Sequence, residues 1–160
     1  GARWSEIDLV AGVWTIPSQR MKKRREHSVP LSTQAITILS EAKKLSAHSQ
    51  FVFSSVRTPT RPMSENTVNA ALRRLGYTSE EMTAHGFRGT ATTLLMASGK
   101  WSREIVKKAL SHKEGDETWA AYERGDHWPQ RVEMAQWWSD YIDQLRKGAD
   151  IVQFPEREAV

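Results

Sequence analysis

The chain is cut into short lengths by its own punctuation. Ser32, Ser64 and Ser102 each stand ahead of an apolar pattern with helical spacing, and Gly76, Gly99 and Gly148 each stand behind one. A serine hydroxyl accepts hydrogen bonds from the free N–H groups of a first turn, and glycine takes the positive φ that closes a last one. Between these marks lie Ala35, Ile38, Leu39, Ala42 and Leu45, then Val68, Ala71, Leu72 and Leu75, then Ile105, Val106, Ala109 and Leu110. The spacing predicts helices over about 33–45, from Ser64 to Gly76, from near Thr83 to Ser98, and after Ser102. A short helix is expected over 117–124. A last long one should begin near Pro129, a favoured first-turn residue, and end before Gly148.

The first thirty residues read differently. Val13-Trp14-Thr15-Ile16 is rich in β-formers and closes on Pro17, and Val29-Pro30-Leu31 follows a polar, charged stretch. Two short strands joined by a basic hairpin account for both. Phe51-Val52-Phe53 is a short apolar strand or buried extended segment, and Pro59 and Pro62 mark a surface loop. The expected fold class is α+β, mostly helical, with a small antiparallel sheet near the N-terminus. A length of 160 residues suits one domain over 1–147, with a flexible tail over 148–160.

Several classes are excluded by what the chain lacks. There is no cysteine, which removes a disulfide scaffold, a thiol nucleophile and cysteine-held zinc. No apolar run approaches the ~18–20 residues of a membrane span, and the start has no secretory pattern, so a cytoplasmic protein without membrane contact is expected. The charge is unevenly spread. Residues 1–111 carry 17 Lys/Arg against 8 Asp/Glu, whereas 112–160 carry 6 against 11. A basic body suits a polyanionic partner, most simply nucleic acid.

Three groups of residues could do chemistry. His85-Gly86-Phe87-Arg88 falls at a predicted helix start, where free N–H groups and the positive dipole end favour an anion. An imidazole that passes a proton and a guanidinium that grips two phosphate oxygens would complete a phosphate site there. Taken alone, such a histidine is a cap and such an arginine a solvated side chain. Leu110-Ser111-His112-Lys113 follows the next helix, and Tyr122 stands ten residues beyond His112. A phenol ionises near pH 10 (about 10), so a tyrosine nucleophile needs cations or a base nearby, and by itself Tyr122 reads as core. The third group, Arg20-Met21-Lys22-Lys23-Arg24-Arg25, reads either as a solvated turn holding backbone phosphates or as a carrier for one catalytic lysine.

In series, these groups resemble the catalytic domain of tyrosine recombinases, in particular integrases of phages and genomic islands. Ala2-Arg3-Trp4-Ser5-Glu6-Ile7-Asp8, Met21-Lys22 before Val29-Pro30-Leu31-Ser32, Ala84-His85-Gly86-Phe87-Arg88, Leu110-Ser111-His112-Lys113, Ala120-Ala121-Tyr122 and Trp137-Trp138 carry the likeness over residues 2–145. The resemblance implies that Tyr122 attacks a DNA phosphate, giving a 3′-phosphotyrosyl link and a free 5′-hydroxyl. It implies that Arg88 clamps the phosphate and that His85 and His112 assist proton transfer. Lys22 would protonate the leaving oxygen, with Lys23 its rival. Lys23 with Arg20, Arg24, Arg25, Arg73 and Arg74 would hold DNA. No cofactor and no metal is implied. The implied partners are double-stranded attachment sites, other protomers in a tetramer on DNA, and accessory DNA-bending proteins.

One departure stands out. The family pattern has another catalytic arginine in a helix before the stretch matched by Ala2-Arg3-Trp4, and Arg3 does not match it. The expectation is an excised portion of a larger integrase, with little or no recombination activity alone. A non-catalytic DNA-binding module is the alternative; it explains the basic body and Arg73-Arg74 but not the His85, His112, Tyr122 series. A metal-dependent nuclease ranks last for want of clustered carboxylates, and a type I topoisomerase is a variant of the first reading. On the last helix, Met134, Trp137, Trp138, Tyr141 and Leu145 form an apolar stripe that packs on its own domain or docks on a neighbouring protomer.

Overall fold

The computed structural model describes residues 1–21, 24–110 and 127–148. Its elements run β1 (Ile7–Asp8), β2 (Val13–Ile16), β3 (His27–Pro30), α1 (Thr33–Leu45), α2 (Thr67–Arg74), α3 (Gly86–Ala97), α4 (Arg103–Ala109) and α5 (Trp128–Arg146), with single 3₁₀ turns at Trp4–Glu6 and Ser18–Arg20. This is the α+β arrangement expected from the sequence. The chain forms two compact units, Gly1–Phe87 and Arg88–Val160. Among the described residues, no helix is long and apolar enough to cross a membrane.

In the first unit, the sheet has the order β1-β2-β3 and is antiparallel throughout. Val13 pairs with Pro30 and Ile16 with His27, so the basic hairpin is built as expected. The β1 strand was not anticipated, because two residues carry no readable alternation. It exists because the Asp8 carboxylate accepts from the Val10 and Ala11 N–H groups at 2.9 and 2.8 Å and turns the chain back. Gly12 completes the turn at φ +66, a left-handed conformation that glycine adopts without strain. The Phe51 segment joins the N-terminus rather than the sheet: Arg3 bridges to Phe51, and the Val52 N–H donates to the Ala2 carbonyl at 2.9 Å. Phe51, Val52 and Leu72 are the buried apolar residues of this unit, with Pro30, Ser32 and Ser46 buried as well.

Helix α1 begins where the Ser32 hydroxyl accepts from the Ala35 N–H at 3.2 Å. Its stripe is shallower than the pattern implied. Ile38 and Leu45 are exposed, and no residue of the helix is fully buried. Helix α2 starts three residues after Ser64, which instead uses its carbonyl and hydroxyl on the N–H groups of Thr67 and Asn66 in the preceding turn. Leu72 is its buried residue, while Leu75 is exposed and Gly76 closes the helix at φ +96.

In the second unit, Leu95, Ile105, Val106 and Met134 form the core, and Met96, Trp101, Leu110, Trp137 and Trp138 pack around it. Ser102 caps α4 through the Ile105 N–H at 3.4 Å. The first half of the α5 stripe therefore packs on its own unit. Tyr141 stacks on Trp137 and Trp138 at 5.4 and 5.8 Å, and Leu145 remains exposed. The short helix expected over 117–124 and the tail beyond Gly148 lie outside the described residues.

Candidate active site

Helix α3 begins at Gly86 and not near Thr83, so His85 immediately precedes it and Arg88 is its third residue. The delay has a local cause. Thr83 accepts the Gly86 N–H on both its carbonyl, at 2.9 Å, and its hydroxyl, at 3.1 Å, which closes a turn ahead of the helix. His85 is exposed and Arg88 half-buried. The boundary between the two units falls inside this first turn, so His85 belongs to the first unit and Arg88 opens the second. In the chain they are three positions apart, one on each side of that boundary.

The segment ahead of His85 is held from α2. Asn69 Oδ1 accepts the Ala84 N–H at 2.8 Å, and the Arg73 guanidinium donates to the Met82 carbonyl. Gly86 is packed so closely that a Cβ there would meet Met82 Sδ at 3.1 Å. Sequence reasoning missed Asn69, since a lone asparagine inside a helix carries no signal. It placed Arg73 among the DNA contacts, whereas here the guanidinium is engaged on the protein backbone. Arg74 is exposed.

On the hairpin, Arg20 is also occupied. Its guanidinium nitrogen lies 2.6 Å from both Glu6 carboxylate oxygens. Glu6 further accepts from the Trp14 indole and the Arg3 N–H, each at 3.2 Å. Burial pushes the Glu6 carboxyl up, but the hydrogen bonds from Arg20, Trp14 and Arg3 outweigh it and hold the group below its ordinary value. Arg24 and Arg25 are exposed, and Arg24 adopts φ +48 as its N–H closes a turn on the Met21 carbonyl. Lys22, Lys23, His112 and Tyr122 lie outside the described residues.

Residues 1–127 match the model of the phage integrase family. The chain belongs to that family. It is 42% identical to the Escherichia coli K12 protein IntB over 91% of this chain and 40% of that protein. It is 41% identical to the integrase of Enterobacteria phage P4 over 91% of this chain and 36% of the relative. Against the prophage integrase IntA of Escherichia coli K12 the identity is 41%, over 94% and 36%. The chain thus spans about two fifths of the length of these relatives. No solved structure matches it significantly. The integrase match runs across Lys22, His85, Arg88, His112 and Tyr122 together.

Proposed function

We propose that this chain is the catalytic part of a site-specific DNA recombinase that cuts and rejoins strands through Tyr122. The observation that carries the reading is the integrase-family match over residues 1–127, a span that holds Lys22, His85, Arg88, His112 and Tyr122. The Tyr122 phenolate attacks a backbone phosphorus, forms a 3′-phosphotyrosyl ester and expels the 5′-oxygen, which takes a proton from Lys22 or Lys23. A 5′-hydroxyl of a partner strand then attacks the ester and returns the phenol. Negative charge grows on the non-bridging oxygens during each transfer. Arg88, the two histidines and the α3 N-terminus are suited to stabilise that charge, the term that dominates such reactions. The substrate is double-stranded attachment-site DNA, and strand exchange takes place in an assembly of protomers, a tetramer on two duplexes, with DNA-bending proteins assisting. Of the described cations expected on DNA, Arg24, Arg25 and Arg74 are exposed, whereas Arg20 and Arg73 are held by protein groups, and the first three are assigned to the DNA backbone.

The test uses this chain as part of a protein of its relatives' length. It is incubated with nicked attachment-site DNA in excess chelator, and a detergent-stable protein–DNA adduct is sought. The adduct should form without metal and vanish in Tyr122→Phe, while DNA affinity hardly changes. If DNA is bound but no adduct forms, the chain is a binding module and Tyr122 is a core residue.

A further inference from the structure

We infer that Asn69 and Arg73 are positioning residues that set His85 for the strand-transfer reaction by gripping the backbone in front of it. The inference rests on the recombinase reading above and adds to it a device on α2. Asn69 and Arg73 are four apart, so they project from the same face of that helix. The groups they hold, the Met82 carbonyl and the Ala84 N–H, are two residues apart on an otherwise irregular segment. One helix face thus holds this segment at a carbonyl three residues ahead of His85 and at an N–H one residue ahead of it.

Three further features fit a positioning role. Arg73 Nε is buried without a hydrogen-bond partner, so part of this guanidinium is withdrawn from water instead of being offered to DNA. Gly86 brings the start of α3 close to Met82, the residue whose carbonyl Arg73 holds. Glu81 Oε2 accepts the Thr78 N–H at 2.7 Å and tightens the other end of the same segment. His85 itself is exposed, so its location is fixed by the backbone behind it. A small displacement of a group acting on a phosphate is costly, and an error of about 1 Å can lower a rate by about a hundredfold.

The experiment measures single-turnover adduct formation at saturating nicked attachment-site DNA, with the chain extended to its relatives' length. DNA affinity and thermal melting are measured alongside. Asn69→Leu removes the acceptor at nearly constant volume, and Asn69→Asp keeps it. We expect Asn69→Leu to slow adduct formation by about tenfold or more, with DNA affinity within about twofold, and Asn69→Asp to restore most of the rate. In a His85→Ala background, Asn69→Leu should cost less than about twofold, because two changes that act through one group do not add. An equal loss in both backgrounds, or Asn69→Asp behaving as Asn69→Leu, overturns the inference and leaves Asn69 a generic stabilising residue. Arg73→Met, read against Arg73→Lys in the same backgrounds, provides the same comparison if Asn69→Leu does not fold. Wild type without an adduct overturns the recombinase reading and this inference together; wild type with an adduct that Asn69→Leu matches overturns this inference alone.

Discussion

Glu6 and Arg20 show how a charged residue on the hairpin can serve the fold. The carboxylate is nearly enclosed, with its side chain 6% exposed, and it receives donors from Arg20, Trp14 and Arg3. Its folded value lies below the ordinary 4.5. A depressed carboxylate contributes stability that is fully present above its unfolded value and is lost as pH falls through the folded one. Glu6→Gln should therefore lower the urea midpoint at pH 7. The gap from wild type should close on acidification below the ordinary carboxylate range. Urea titrations of both proteins across that range check the sign; a gap that widens in acid contradicts the assignment. Of this residue's role, only its presence in the motif around Trp4 was legible. Its side-chain donors, Trp14 and Arg20, are eight and fourteen positions away.

At the scale of elements, caps are local and behave locally. Ser32 and Ser102 accept from residues three positions on, and both helices start where the sequence places them. Ser32→Ala should cost about 1 kcal/mol of stability, read from denaturant unfolding at constant slope. Ser32 is buried, which sets it apart from a freely solvated cap and leaves the Ala35 N–H without ready access to water. Thr83 is the instructive contrast. The same pattern of a capping residue ahead of an apolar stretch gives a turn there, because the Ala84 N–H is taken by Asn69 and the Gly86 N–H by Thr83 itself. The consequence falls on the site: His85 stands before the helix and outside its first turn.

For the molecule as a whole, the governing feature is the charge division between a basic body and an acidic end. If the body holds DNA backbone, affinity falls with salt in proportion to the phosphates neutralised. Replacing Arg24 and Arg25 together by alanine should reduce the slope of log K against log salt by about 2, near 0.9 for each lost contact. Arg20→Ala should change the slope less, since that guanidinium is already paired with Glu6. Binding isotherms at four or five salt concentrations measure both.

The sequence by itself determined the α+β class, the hairpin, the capped helices and the order of Lys22, His85, Arg88, His112 and Tyr122. The caps rest on contacts within a turn, and the strands, helices and motif order are read from patterns along the chain that name no particular partner. Only the tertiary structure decided that α3 opens at Gly86, that Arg73 holds the Met82 carbonyl and that Arg20 pairs with Glu6. The two side-chain pairings join a donor and an acceptor nine and fourteen positions apart, and the start of α3 combines the local Thr83 turn with Asn69 holding the Ala84 N–H from fifteen positions away. Helical and strand periodicities say which face a residue occupies, but not which backbone group will come to meet it there.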